Sequence, residues 1–314
     1  MPFRWNTGTW IWDELKRRKP VSDPLVNITV TSYNRLASTR RCLESLQGTS
    51  GIAYTLTVVD NASADGSVEY LQELLAAGRI DRLLLCRRNA GVSVAANLGW
   101  AAVDTPYYVK LDNDVELLRD DWLTTLVSLV ENAPDTGTMG YYIEDERPES
   151  SRGPSFAVAH SVGSCILIPR RVHEQLGFWN EEYGLYGIED SDFSTRIATA
   201  GLTSRYAAYS ERYIRHWHQP YRDNTELDRA IRVTHGVSDE YTAVFYFNNA
   251  LFGAGVRPVY VDRKYLPVLK DGVYSFAPNP EYLKRDARFV QEREAFVAAY
   301  LESVRAAEAG GDDS

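Results

Sequence analysis

From residue 25 to residue 134 short apolar runs alternate with stretches whose apolar residues recur every three to four positions. LVNITVTSY (25–33), YTLTVVD (54–60), DRLLLCR (81–87) and YYVKL (107–111) read as strands, being short, β-rich and bounded by polar residues. Between them, STRRCLESLQG (38–48) places Cys42, Leu43 and Leu46 on one helical face, with Ser38 as the expected N-cap and Gly48 as the stop. ASADGSVEYLQELLAAG (62–78) carries Val68, Leu71, Leu74 and Leu75 on a stripe. GVSVAANLGWAAV (91–103) is a helix rich in small residues, and DDWLTTLVSLVENAP (120–134) a capped helix closed by Pro134. Strand and helix in alternation predict an α/β fold, a Rossmann-like, mostly parallel sheet flanked by helices.

Past Pro134 the rhythm changes. Residues 141–155 are polar and rich in Glu, Arg, Ser and Pro, which predicts a loop, and a loop there could close over a ligand and exclude water. VGSCILIPRR (162–171) reads as a strand, GFWNEEYGLYGIEDSDF (177–193) as a loop entering a helix that runs to Gly201, and TSRYAAYS (203–210) as a further strand. The division expected is an N-terminal arm over 1–24, a catalytic domain over 25–218, and a partly helical C-terminal extension over 219–314 whose tail, AGGDDS, is disordered. In the arm, Trp5, Trp10 and Trp12 precede the basic run Lys16 to Lys19. Two readings stand. The rings pack on their own domain, which is favoured because one basic cluster is a weak signal, or the arm touches an anionic membrane surface.

Composition narrows the classes. The 314 residues suffice for one large α/β domain with an appendage. A net charge of -9 repels polyphosphate backbones and argues against general nucleic-acid binding, though not against one phosphorylated ligand met by a metal ion. Three widely spaced cysteines, Cys42, Cys86 and Cys165, with no CxxC, suggest buried reduced thiols. No apolar run approaches the roughly 20 residues of a membrane helix, and the N-terminus lacks a signal-peptide layout. A cytoplasmic protein is expected, peripheral at the inner membrane face if the arm binds lipid.

The chemistry gathers where the predicted strands end. Ligands of open α/β sheets bind beyond the carboxyl ends of strands. Polar signatures stand there four times: Thr31 to Arg35, Asp60 to Ser63, Asn89, and Asp112 to Asp114. Asp112, Asn113 and Asp114 close a buried strand with hard oxygen ligands, which suit Mg²⁺ or Mn²⁺ together with substrate phosphates. An Asx-rich turn capping the next helix is the competing reading. His216 and His218 flank Trp217 and, in an extended segment, point the same way, so both could reach one metal or diphosphate. They could equally be surface imidazoles around a packed ring.

Several motifs occur in a fixed order: Thr31-Ser32-Tyr33-Asn34-Arg35, Val59-Asp60-Asn61-Ala62-Ser63, Arg88-Asn89-Ala90-Gly91 and Leu111-Asp112-Asn113-Asp114. Gly163-Ser164-Cys165-Ile166-Leu167-Ile168-Pro169, Gly187-Ile188-Glu189-Asp190-Ser191-Asp192-Phe193 and His216 follow them. The succession resembles the inverting GT-A glycosyltransferases of family 2 over roughly residues 25–218. Each piece is weak alone and the combination is specific.

The resemblance implies a nucleotide-diphosphate-sugar donor and a divalent cation, Mn²⁺ or Mg²⁺. By it, Thr31, Tyr33, Asn34 and Arg35 would line the base and ribose pocket, with Asp60 near the nucleobase and Asn89, Asn97, Asp112 and Asn113 bordering the nucleotide. Asp114 is the first expected metal ligand, with Asp112 and His216 beside it and His218 in reserve. An Asp at the Asp60 position leans towards UDP, and dTDP presents a similar edge. Inversion needs one general base to deprotonate the acceptor hydroxyl as it attacks the anomeric carbon. Asp190 is the expected base and Glu189 the expected partner of an acceptor hydroxyl, with the roles exchangeable. A helix N-terminus lowers a carboxylate's pKa, so burial or a neighbouring charge would have to restore basicity. Asp192 and Arg196 share a helical face and are expected as a structural pair.

Where many family members carry Trp-Gly, this chain has Tyr186-Gly187-Ile188. Phe178, Trp179, Tyr183 and Tyr186 then form either an acceptor platform, with Gly163 and Ser164 nearby, or a hydrophobic plug under the loop. The acceptor, a glycan, a lipid-linked glycan or a protein, is open. Two rival functions remain. A sugar nucleotidyltransferase would carry a Gly-rich, basic phosphate loop where Thr31 to Arg35 stand, which does not fit. A non-catalytic carbohydrate-binding scaffold has no need of intact acidic clusters.

Overall fold

The computed structural model describes residues 24–142, 153–161, 163–217 and 239–310. The expected N-terminal arm, most of the 141–155 loop, His218 and the last four residues lie outside the described residues. Four parallel strands form the centre: β1 (Val26–Ser32), β2 (Tyr54–Asp60), β3 (Arg82–Cys86) and β4 (Tyr107–Asp112), in the order β3-β2-β1-β4. Thr31 stands opposite both Val59 and Asp112, and Ser32 opposite Asp60, so the polar strand ends align into one rim.

Side chains of β1 alternate between two layers. Ile28 and Val30 pack with Leu43 and Leu46 of the α1 (Leu36–Ser45) region and with Leu123 and Leu126 of α4 (Trp122–Glu131). Asn27 faces the other way and donates to Gly99 O of α3 (Val92–Trp100). α2 (Ser67–Ala76) adds Tyr70, Leu71 and Leu74 to the first core. The second core joins Ala96 and Trp100 to Trp179, Phe193 and Ile197. All three cysteines are free and buried.

Two local expectations need correction. Ser38 does not cap α1. Asn34 and Arg35 both take left-handed backbone angles (φ 54 and 60), the helix begins at Leu36, and Ser38 is buried inside it. The cap comes from a distant residue, Asp65, whose Oδ2 accepts from Leu36 N. The second correction concerns 162–171, which is not one strand: β8 (Cys165–Pro169) ends at its proline, and α5 (Arg170–Leu176) starts at once. A proline ahead of a helix has a fixed φ and needs no donor, so this boundary costs little.

The other described strands before residue 218 are β5 (Val115–Leu117), β6 (Thr136–Gly140), β7 (Ser155–Val158), β9 (Thr203–Ala207) and β10 (Ile214–His216). β8 runs antiparallel to β4 and carries the sheet on through β6, β9 and β7. β5 and β10 form a separate antiparallel ribbon with His216 opposite Val115, which brings a histidine beside Asp114. α6 (Glu189–Thr199) starts after a loop in which Gly184, Gly187 and Ile188 all have positive φ.

The C-terminal extension is built from α7 (Asp239–Gly253), β11 (Tyr265–Lys270), β12 (Val273–Pro278), α8 (Pro280–Asp286) and α9 (Val290–Gly310). Its hairpin is part of the main sheet, because β12 pairs parallel with β3, and the sheet has ten strands among the described residues. The change of texture near residue 218 therefore does not mark the end of the sheet. Ala309 and Gly310 close α9 rather than opening a disordered tail. No described helix is long and apolar enough to cross a membrane.

Candidate active site

A cavity of about 290 Å³ opens on the rim. Thr31 and Tyr33 reach it from the end of β1, and Arg35 from the turn before α1. Asn89 and Asn61 form one side, where Asn61 Nδ2 donates to Asn89 Oδ1 at 2.8 Å and Asn61 Oδ1 accepts from Ala90 N. Asp112, Asn113, Asp114 and His216 line it as well, as do Gly163, Ser164, Tyr186, Glu189 and Asp190.

The acidic triplet is met by Arg35, His216 and Lys110. Arg35 Nη1 lies 2.9 Å from Asp114 Oδ2, and His216 Nε2 lies 3.2 Å from Asp114 Oδ1. Lys110 Nζ donates to Asp112 Oδ1 at 2.8 Å and to Gly163 O at 2.7 Å. Burial opposes charge on Asp114, yet the His216 hydrogen bond and the Arg35 charge outweigh it and lower the carboxyl's pKa. Asp112 moves the other way, raised by burial and by Asp114 despite Lys110. Asp114 and His216 thus present a carboxylate and an imidazole side by side, a donor pair suited to Mn²⁺ or Mg²⁺. Among the described residues no three His, Cys, Asp or Glu side chains gather as a ready cage.

The second acidic pair differs within itself. Glu189 is 6% exposed, and its Oε2 has no hydrogen-bond partner among the described residues. Burial, and then the Asp190 charge, push its carboxyl up to about 7. Asp190 accepts from Ser191 N at 2.8 Å and from Gly163 N at 3.4 Å, and His160 Nε2 approaches to 3.4 Å. Burial opposes its charge too, but His160, Lys110 and Ser191 N outweigh burial and lower it. The restoring influence expected at this helix N-terminus therefore acts on Glu189. Asp192 and Arg196 form the expected structural pair, fully buried at 2.6 Å.

Several expected site residues lie elsewhere. Asn97 is fully buried, donating to Trp179 O and Glu181 Oε1 and accepting from Trp179 N, so it pins the 179–181 loop instead of bordering the cavity. Asp60 is buried beneath its own turn, accepting from Ser63 N and Oγ. Asn34 shapes the turn, its Oδ1 accepting from Ala64 N. Trp179 and Tyr183 are core residues, so the plug reading describes them and only Tyr186, 43% exposed, faces the cavity. Lys110, Asn61 and His160 were not singled out from sequence. Lys110 carried one readable signal, a charge inside an otherwise apolar strand that has both faces covered.

Residues 27–182 match the family model described as Glycosyl transferase family 2. The mannosyltransferase PcManGT of Pyrobaculum calidifontis, solved with GDP-Man and Mn²⁺, superposes with a TM-score of 0.54 at 16% identity, over 92% of this chain and 77% of that one. S. aureus TarS 1-349 gives 0.52 at 13% identity, over 74% of this chain and 70% of that one. GalNAc-T7, solved with UDP, GalNAc and Mn²⁺, gives 0.52 at 14%, over 71% and 50%. Protein y4gI of Sinorhizobium fredii, described as uncharacterized, is 23% identical over 221 residues, which are 60% of this chain. The chain spans about a quarter (24%) of the length of that curated relative. The superpositions establish a shared fold. Through residues 27–182, on the GT-A fold, the chain belongs to glycosyltransferase family 2.

Proposed function

We propose that the chain is an inverting glycosyltransferase that moves a sugar from a nucleotide-diphosphate sugar to an acceptor hydroxyl. The observation that carries this reading is the meeting of two acidic pairs, Asp112/Asp114 and Glu189/Asp190, around one cavity at the carboxyl ends of β1 and β4. One pair suits the diphosphate end of a donor, the other the proton of an acceptor. Asp114 and His216 would hold Mn²⁺ or Mg²⁺, with Asp112 turned to Lys110. A bound cation supplies positive charge that offsets the departing diphosphate.

Thr31, Tyr33, Asn89 and Asn113 bind the nucleotide portion, and Gly163, Ser164 and Tyr186 meet the acceptor. The acceptor oxygen attacks the anomeric carbon from the face opposite the diphosphate, and its proton passes to Asp190. Glu189 lies beside the same hydroxyl. UDP is the favoured nucleotide on the family resemblance, with dTDP second. Neighbours of the same fold were solved with UDP, UDP-GlcNAc and GDP-Man, so the nucleobase is chosen by test. The acceptor class is a glycan, free, lipid-linked or on a protein.

Calorimetry with UDP, in Mn²⁺ and then in chelator, on the wild type and on Asp114→Ala tests the donor site. Binding that needs both the cation and Asp114 is expected. Absence of binding by UDP, dTDP and GDP in every condition would sink the donor reading and favour a non-catalytic saccharide-binding scaffold.

A further inference from the structure

Next to the expected base stands a residue outside the cavity wall. His160 lies two positions beyond β7, and its Nε2 is 3.4 Å from Asp190 Oδ1 and 3.2 Å from Ser191 Oγ. The following residue is fixed to the same helix, since Ser161 N donates to Ser194 Oγ at 3.1 Å. Ser161 Oγ also lies 3.1 Å from Thr138 Oγ1 of β6. Ser191 and Ser194 are three apart, on one face of α6. Two consecutive residues of the 159–161 segment therefore grip one face of the helix that carries Asp190. Ser161 is 2% exposed, while the His160 side chain is 43% exposed, so the anchor is buried and the imidazole reaches Asp190 from the solvent side.

The two oxygens of Asp190 are thereby made unlike. Oδ1 accepts from Ser191 N and faces His160, whereas among the described residues Oδ2 has only the longer contact from Gly163 N on the cavity wall. A carboxylate with one oxygen held and one oxygen open has a defined direction for receiving a proton. We propose that His160 is the positioning residue of the general base: by donating Nε2–H to Asp190 Oδ1 it turns Asp190 Oδ2 towards the acceptor hydroxyl. The acceptor O–H proton goes to Oδ2, and the imidazole neither gains nor loses a proton in the step. The other charged groups that face Asp190 are Lys110 on β4 and Glu189 beside it. This inference rests on the reading of Asp190 as base, and the experiment separates the two.

Imidazole titrations followed by NMR, on the wild type and on Asp190→Asn, read the contact without any ligand. The His160 pKa is expected to fall by about one unit when the carboxylate is removed. Nucleotide release from the active donor in a panel of UDP-glucose, UDP-N-acetylglucosamine, dTDP-rhamnose and GDP-mannose reads the function. His160→Ala is expected to lower kcat by about tenfold to a hundredfold with the donor KM unchanged. His160→Gln, whose amide N–H occupies the Nε2 place, is expected to recover most of that loss. An unmoved His160 titration overturns the proposal. So does a His160→Ala enzyme with full kcat while Asp190→Asn is inactive, which leaves the base reading standing. Full activity in Asp190→Asn overturns both.

Discussion

Glu189 and Asp190 are neighbours in the chain with opposite surroundings. Glu189 is enclosed and beside a like charge, so its carboxyl is raised to about 7, whereas Asp190 is held low, burial being outweighed by His160 and Lys110. The two titrate as a unit, and the pair gains its second negative charge as pH rises through about 7. A proton-accepting pair works better once that charge is present. The expected outcome is a kcat/KM that rises with pH through about 7 and then levels, and a pH–rate profile in Glu189→Gln that lacks this limb. A flat wild-type profile from pH 6 to pH 8 would show that the pair is not the base. At this scale the sequence carried chemistry in clusters. Asp112 with Asp114, and Glu189 with Asp190, advertised themselves by adjacency. His160 stands alone in its stretch and nothing local marked it, while Lys110 was marked only as a charge inside an apolar strand and meets Gly163 53 positions away.

Elements position these groups through their ends. β1 and β4 stop in register, β10 pairs with β5 so that His216 arrives at Asp114, and α6 begins at Glu189. Apart from β5, the strands and helices up to residue 131 were legible because their periods of two and of three to four differ clearly. The boundaries were less so. α1 is capped by Asp65, 29 positions on, which no local motif encodes, and α5 was hidden behind the apolar run of β8. The turn after α5 offers a test. Gly177 has φ +72, and a Cβ there would lie 2.0 Å from Val261 O, where α5 meets the C-terminal extension. Gly177→Ala adds both strain and a backbone clash, and is expected to destabilise by roughly 2 kcal/mol or more. A urea midpoint equal to the wild type's would refute that.

On the scale of the whole molecule, the loop that leads to α6 is bolted to the C-terminal extension. Glu182 is 7% exposed. Its Oε2 accepts from Arg257 at 3.1 Å and Asn248 at 2.9 Å, and its Oε1 from Arg293 at 2.8 Å. Burial alone would raise this carboxyl, but Arg257 and Arg293 outweigh it and hold it at about 2. Tyr183, next in the chain, donates to Asp192 Oδ2 at 2.6 Å on α6. Removing one partner leaves buried charge uncompensated, so Glu182→Ala is expected to cost about 3–5 kcal/mol in denaturant unfolding. A loss below 1 kcal/mol would mean that the extension is not clamped through this residue. None of this was readable beforehand. Each member of the network is an ordinary charged residue, and the extension's short strands gave mixed signals until paired with β3.

That pairing has a consequence for how the chain is made. β12 begins roughly 190 residues after β3 ends. A ribosome adding about 5–20 residues per second needs on the order of 10–40 seconds to cover that interval. Throughout it, the nascent sheet exposes β3 as an open edge with unpaired backbone groups, the kind of surface that templates association between chains. The hairpin that seals this edge therefore emerges long after the edge itself. Damage to the hairpin would surface first as lost soluble yield, before any change in catalysis could be measured.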